Sequence, residues 1–325
     1  MLNILVVGGA GFIGSNMVKM LSQQGHHVTT LDDLSSGHRD AVLAGDFVQG
    51  DVGDRALLEE VLSRGFDAVM HFASSILVGE SVHKPALYYQ NNVAKTMGLL
   101  DAMRAHGVKR FVFSSTAATF GEPQYSPIDE KHPQQPVNPY GRTKLMVEQV
   151  LADYALAYGL RSVSLRYFNA AGADPEGQLG ERHEPETHLI PLVLQVAAGR
   201  RPHLEVFGRD YDTPDGTCIR DYVHVTDLCS AHAQALHALM AGNGADYQAY
   251  NLGSGHGFSV QEVIDTAQKV SGRSVATMDR PRRVGDPSRL VADPTLARQR
   301  LGWQPHFSEL RTLIEHAWRW ETRQA

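Results

Sequence analysis

A short apolar run, Ile4-Leu5-Val6-Val7, stops at Gly8-Gly9-Ala10-Gly11-Phe12-Ile13-Gly14, and a helical pattern begins at once. No other stretch limits the fold so strongly. Glycines at 8, 11 and 14 permit a tight turn, close backbone approach to a pyrophosphate, and close packing of helix on strand. The free N–H groups and dipole at the helix start stabilise an anion there. An acid, Asp32, follows the second strand, 18 residues after Gly14. A carboxylate in that place accepts from ribose hydroxyls and repels a 2′-phosphate, so the pattern predicts NAD rather than NADP.

The rest of the first half repeats the strand–helix rhythm. Ile4–Val7, Val28–Leu31, Phe47–Gln49, Ala68–His71, Arg110–Ser114 and Ser162–Arg166 read as strands, being short and rich in Val, Leu and Phe. Helical patterns fill the gaps at Phe12–Gln24, Ala56–Ser63, Leu87–His106 and Pro139–Tyr158. This alternation predicts an α/β chain, a Rossmann-type doubly wound parallel sheet covered on both faces. After about residue 172 the rhythm changes. Ala173–Glu186 has the composition of a loop, and a helix near Leu189–Ala198, a strand at Leu204–Phe207 and an irregular basic segment at Pro281–Asp286 follow. The expected division is an NAD-binding domain over 1–172 and a smaller mixed α/β substrate domain over 173–325. Segments near 218–235 and 248–254 are expected to return to the first.

Composition excludes several classes. At 325 residues the chain can bury a large core without disulfide or metal staples. Its 30 Lys and Arg against 36 Asp and Glu give a formal charge of −6, which argues against a nucleic-acid partner. The start lacks a basic leader, no apolar run is long enough to span a bilayer, and Cys218 and Cys229 are too few for a disulfide framework. These features point to a cytoplasmic protein with no membrane partner.

Ligands of parallel sheets bind at the carboxyl ends of the strands, so residues just past each strand are the first candidates. Asp51 follows the third strand, and Phe72 and Ala73 follow the fourth. The fifth runs out through Phe113-Ser114-Ser115-Thr116, placing a hydroxyl at the sheet edge. Tyr140-Gly141-Arg142-Thr143-Lys144 sets a phenol and an ammonium four residues apart on one helix face. Alone, that pair equally fits a solvated face. A phenol, with a reference pKa near 10, becomes a useful base only where a cation stabilises the phenolate, and Lys144 is spaced to do so. A hydroxyl, a phenol and an ammonium beside a nicotinamide form a proton relay for oxidising an alcohol.

With GGAGFIGS, LDDLSSGHR, GDV, HFA, VGESV, YYQNNV, FSSTAATFGE, NPYGRTK, LRYFNAAGA, PETHLIPLV, DGTCIRDYVHV, YNLGSG and RRVGD in view, the chain resembles the extended short-chain dehydrogenase/reductases. Within them it is similar to the UDP-glucose (UDP-galactose) 4-epimerases, almost end to end. The resemblance implies that NAD lies over Gly8, Gly11, Phe12, Ile13 and Gly14, with its adenosine ribose against Asp32 and the loop Asp33, Leu34, Ser35, Ser36 and Gly37. Asp51 and Val52 would flank the adenine; Phe72, Ala73, Asn91 and Phe168 would lie nearer the pyrophosphate and nicotinamide. Thr116, Tyr140 and Lys144 would be catalytic, with Tyr140 and Lys144 also touching the cofactor and Thr116 and Tyr140 the sugar. The UDP-sugar would meet Asn169, His188, Leu189, Phe207, Arg220, Arg283 and Asp286. Forked arginine donors suit diphosphate oxygens. The implied reaction interconverts UDP-glucose and UDP-galactose through transient oxidation at C4. In the family, the helices matching Leu87–His106 and Pro139–Tyr158 pair as a four-helix bundle, which implies a homodimer.

The chain departs from the family pattern in places. Ile76 stands where many members carry a lysine near the pyrophosphate, and His188 where some use asparagine. Leu290 falls at the family's size gate, where bulk excludes N-acetylated sugars; leucine is intermediate in bulk, which keeps UDP-N-acetylhexosamines and UDP-pentoses as alternative substrates. Ala117 and Ala118 replace the acids a 4,6-dehydratase would need. A non-catalytic NAD-sensing module could dispense with the relay residues, yet all three are present. His183, Glu184, Glu186 and His188 match no recognised ligand spacing, so no metal is expected.

Overall fold

The computed structural model describes residues 1–242, 244–283 and 285–323; residues 243, 284, 324 and 325, including Val284 of the RRVGD stretch, lie outside it. Seven parallel strands form the main sheet: β1 (Asn3–Val7), β2 (His27–Asp32), β3 (Asp46–Gln49), β4 (Ala68–His71), β5 (Arg110–Thr116), β6 (Arg161–Tyr167) and the late strand Tyr247–Leu252. From one edge the order is Tyr247–Leu252, β6, β5, β4, β1, β2, β3. The chain therefore winds outward from β1 to β3 and then restarts beside β1 at β4. That switch point opens a crevice at the carboxyl edge. Register levels the strand ends, because Val7 lies opposite both Leu31 and His71, His71 opposite Phe113, and Thr116 opposite Tyr167. Gly8, Asp32, Phe72 and Thr116 consequently emerge along one rim.

Side-chain alternation along β1 divides the core. Ile4 and Val6 pack with Met17, Val18 and Leu21 of the helix Phe12–Gln23 and with Leu228 and Leu236 of the helix Val225–Ala241. Leu5 and Val7 face Leu58 and Leu62 of Arg55–Leu62, Leu99 and Met103 of Lys95–Ala105, and Val147 and Leu151 of Pro139–Tyr158. Each such side chain, fully buried, stabilises by roughly 1.5–3 kcal/mol. A third cluster, around Ile190, Val193, Leu204, Val263 and Leu313, holds the helices Leu189–Ala197, Val260–Ser271 and Leu310–Arg323 to the paired strands Leu204–Phe207 and Thr277–Arg280.

One expectation needs correction. The single helix expected over Leu87–His106 is broken into Pro85–Tyr88, a π-helical stretch Tyr89–Ala94, and Lys95–Ala105. The buried Asn92 explains the break, as its amide donates to the Ser75 carbonyl at 3.0 Å and its Oδ1 accepts from Ser75 N–H at 2.8 Å. The extra residue per turn aims that side chain at the loop after β4. Of the segments expected to return to the first domain, Ile219–Arg220 and Tyr222–His224 pair in small sheets of their own, while Val223 and the helix Val225–Ala241 pack in the same core cluster as β1, β5 and β6. Among the described residues no helix is long and apolar enough to cross a membrane.

Candidate active site

At the rim, Gly8 adopts φ +82°, and a Cβ there would overlap the backbone of Ala73. A Cβ on Gly14 would likewise strike the Gly8 carbonyl, so only glycine permits this turn, while Gly11 caps the helix that Phe12 and Ile13 open. Asp32 is buried and accepts from the Ala10 and Leu34 amides, each at 2.9 Å. Burial raises its carboxyl pKa, against the pull of those two bonds. A carboxylate has about four acceptor sites, so ribose hydroxyls can share it. Leu34 holds φ 60°, the one positive φ outside glycine among the described residues, and Asp33 accepts from Ser35 N–H and hydroxyl. Ser36 is exposed, and Gly37 is half-buried, close against Ala10 and Asp32.

Further along, Asp51 pairs with Lys95 at 2.7 Å and accepts from Gly53 N–H, with Val52 half-buried beside it. Burial pushes the Asp51 carboxyl up, but Lys95 and Gly53 bring it below its ordinary value. Phe72 and Ala73 both donate their amides to the Val7 carbonyl, and the Phe72 ring lies 4.8 Å from that of His232. Asn91 donates to the Ser75 hydroxyl at 3.1 Å. Ile76 of this loop is 37% exposed and brings no charge. Phe168, half-buried, sits in the one-residue break between β6 and the strand Asn169–Ala171.

The relay residues converge. Thr116 ends β5, and Asn138 starts the helix opposite by accepting from Gly141 N–H at 2.8 Å, with Pro139 in its first turn. Tyr140 faces Thr116, whose hydroxyl is near enough to act on the phenol. One turn on, Lys144 is 3% exposed, donates to the Ser114 carbonyl at 2.8 Å, and lies 6.0 Å from the Tyr140 ring centroid. Burial pushes the Tyr140 phenol up to about 12, with the Thr116 bond pulling down. Burial also pushes Lys144 down to about 7, against the attraction of Glu148. A dry pocket resists either charge alone, whereas phenolate and ammonium formed together support one another.

Sequence reasoning missed the support beneath this pair. Glu148, one turn beyond Lys144, accepts from both arms of the buried Arg166 guanidinium and from the Ser115 hydroxyl. The i, i+4 spacing of Lys144 and Glu148 was a visible signal, but Arg166 becomes their neighbour only through the sheet. Asp221 is a second omission. It is buried behind Arg220 and accepts from Ser254 N–H and hydroxyl, Gly255 N–H and Ala292 N–H. Burial lifts its carboxyl to about 6, with the Ser254 bonds opposing.

In the second half, Arg220 forms an ion pair with Asp286, and the Arg283 guanidinium stacks 3.9 Å over the Phe207 ring. The Asp286 amide donates to the Arg283 carbonyl, and Leu290 lies in register with Arg220, so these residues make one group. Asn169 spends its side-chain amide on the Asp221 carbonyl at 2.8 Å. His188 caps the helix Leu189–Ala197, whose first residue Leu189 is half-buried, and its Nδ1 lies 2.9 Å from Glu186.

Known proteins resemble this chain over nearly its full length. The profile of the NAD dependent epimerase/dehydratase family matches residues 4–253. The UDP-glucose 4-epimerase of Rhizobium meliloti (strain 1021) is 52% identical over 322 residues, covering 99% of this chain and 97% of that protein. The crystal structure of UDP-glucose 4-epimerase from Brucella ovis in complex with NAD superimposes with a TM-score of 0.96 at 54% identity, over 98% of each chain. That of the Bifidobacterium longum enzyme in complex with NAD+ and UDP gives 0.93 at 38%, over 99% of this chain and 98% of that one.

Proposed function

The chain belongs to the NAD-dependent epimerase/dehydratase family, and on that premise we propose that it interconverts UDP-glucose and UDP-galactose. The observation that carries this reading is Tyr140 beside Thr116 with Lys144 one turn away, at the rim where Gly8 and Gly14 leave a cradle for a pyrophosphate. NAD, when bound, takes hydride from sugar C4 and returns it. Tyr140 removes the C4 hydroxyl proton through Thr116, and the ammonium of Lys144 favours the phenolate. Arg220 and Arg283 grip the diphosphate, Asp286 accepts from the uridine ribose, and Asn169, Leu189 and Phe207 line the pocket. With the UDP anchored, the keto-hexose would be free to turn, Tyr140 with Thr116 would return the proton to the C4 oxygen, and hydride supplied to the opposite face would invert C4. With its Nδ1 engaged by carboxylates, His188 would meet the diphosphate through Nε2.

In this reading the cofactor is held by 1–172 together with Val225–Ala241 and Tyr247–Leu252, and the remainder recognises the UDP-sugar. Leu87, Met97, Met146 and Leu156 stay exposed along the helical segments between Pro85 and Ala105 and over Pro139–Tyr158. They support a homodimer, which light scattering of the purified enzyme would test. Free, buried thiols at Cys218 and Cys229 fit a reducing cytoplasm.

The deciding experiment incubates purified protein with UDP-galactose, without reductant, and follows UDP-glucose. Conversion to an equilibrium mixture without net NADH is expected. No conversion, with or without added NAD+, would overturn the reading, and steady NADH accumulation would show a net dehydrogenase instead.

A further inference from the structure

The loop from Glu181 to His188 reads in sequence as free of metal, yet folding gathers its chemistry. The ligand atoms of Glu181, His183, Glu186 and His188 all lie within 4.8 Å of one another. His188 Nδ1 is 2.8 Å from Glu181 Oε1 and 2.9 Å from Glu186 Oε1. His183 Nδ1 is 3.1 Å from the same Glu181 oxygen and 3.8 Å from Glu186 Oε2. We propose that these four side chains form a structural divalent-cation site suited to zinc.

Three arguments support it. Ligands placed tetrahedrally at zinc bond lengths stand about 3.3 Å apart; Glu181 Oε1 lies 2.8 and 3.1 Å from the two imidazoles, and the Glu186 carboxylate lies 2.9 Å from His188 through Oε1 and 3.8 Å from His183 through Oε2, on either side of that value. Both carboxylates are buried, at 7% and 6% side-chain exposure, so the cluster holds two positive charges, carried by the two imidazoliums when the site is empty and by one divalent ion between neutral imidazoles when it is filled. Proton placement is also awkward without an ion. Nδ1 of His188 carries at most one hydrogen but faces two carboxylate oxygens at near-equal distance, an arrangement that metal ligation explains. Four protein ligands close the coordination sphere, which marks a structural rather than a catalytic site.

The second shell is in place. Glu186 Oε1 is fixed by the amides of Thr187 and His188 at 2.7 and 2.8 Å. Trp320 of the last helix donates to the Glu181 carbonyl. Arg182, between two ligands, forms a two-pronged pair with Asp40 at 2.7 and 3.0 Å. An ion here would therefore tie the loop before the helix Leu189–Ala197 to the segment following β2.

The test uses the full-length enzyme with its NAD, dialysed against EDTA and then titrated with Zn2+ by calorimetry and with Co2+ by visible absorption. One tight equivalent per chain, a rise in Tm with Zn2+, and the intense visible bands of tetrahedral cobalt are expected. E181Q and H183Q should each weaken Zn2+ binding at least ~100-fold. Zn2+ uptake by wild type no greater than by the E181Q/H183Q double variant would overturn the proposal, since the chain carries 16 histidines capable of weak binding. So would the faint spectrum of octahedral cobalt in the wild type, which needs no variant to fold.

Discussion

The Lys144 ammonium donates to the Ser114 carbonyl, 2.8 Å away inside β5, two residues before Thr116. The helix turn that carries Tyr140 and Lys144 is thereby tied to the strand that carries the relay hydroxyl. Position along the helix is set by the sheet, so the turn that carries the phenol is fixed against the strand that ends at Thr116. Such preorganisation lets proton transfer proceed with little rearrangement.

Tyr140→Phe removes the base and leaves the pocket shape nearly unchanged. Turnover of UDP-galactose should fall about 10²–10⁴-fold, while the Kd for UDP, measured by calorimetry, stays within a few-fold of wild type. Wild-type turnover in the variant would remove Tyr140 from the mechanism.

The buried ammonium also sets a pH dependence of stability. Burial pushes Lys144 down to about 7, with Glu148 opposing, whereas the unfolded lysine titrates near its ordinary value. Between those two values the unfolded chain holds a proton that the folded one has lost, so this group favours folding more as pH rises. Its penalty is complete below about pH 7 and fades toward pH 10. Lys144→Met should therefore exceed wild type in stability by most at pH 6, and the gap should close by pH 10. Urea titrations of both proteins at pH 6, 8 and 10 check this, and a gap independent of pH would refute it.

Glu148 and Arg166 form a buried pair, at 3% and 6% side-chain exposure. Removing one partner strands the other's charge. Arg166→Met should cost about 3–5 kcal/mol in urea unfolding, and Arg166→Met with Glu148→Leu should recover a substantial part of that loss. Glu148→Gln further predicts an altered pH profile of turnover, because it removes the carboxylate that supports the Lys144 charge. Additive losses in the double variant would show that the pair does not act as a unit.

The cofactor end of the molecule was legible in the sequence because its constraints are local. A glycine turn between an apolar run and a helix has few folded solutions, and Asp32 follows at a fixed distance. The placing of Tyr140 and Lys144 on one helix face was legible for the same reason, since four residues on a helix make one turn. What escaped depends on elements far apart in the chain. The π-helical break at Tyr89–Ala94 is caused by Asn92 reaching Ser75, and the apolar pattern gives no sign of it. Asp221 draws its donors from Ser254, Gly255 and Ala292. Glu181 meets His188 only because the loop between them folds back, and no helical or strand period records that.

Sugar breadth turns on Leu290. It is half-buried and pairs in parallel register with Arg220, so both side chains leave the sheet on the same face. If Arg220 grips the diphosphate, the hexose that follows lies beside the Leu290 side chain. Its backbone carbonyl accepts from Asp221 N–H at 3.0 Å, a bond that any residue at 290 retains. Leu290→Gly therefore enlarges the pocket without removing that anchor. A pocket discriminates one or two carbon atoms by about tenfold or more. UDP-N-acetylgalactosamine should accordingly gain about that factor in kcat/KM, while UDP-galactose loses a few-fold as its sugar packs less tightly. The comparison of both substrates on both proteins is direct. An equal loss for the two would mean that Leu290 supports the fold of the pocket and does not set its size.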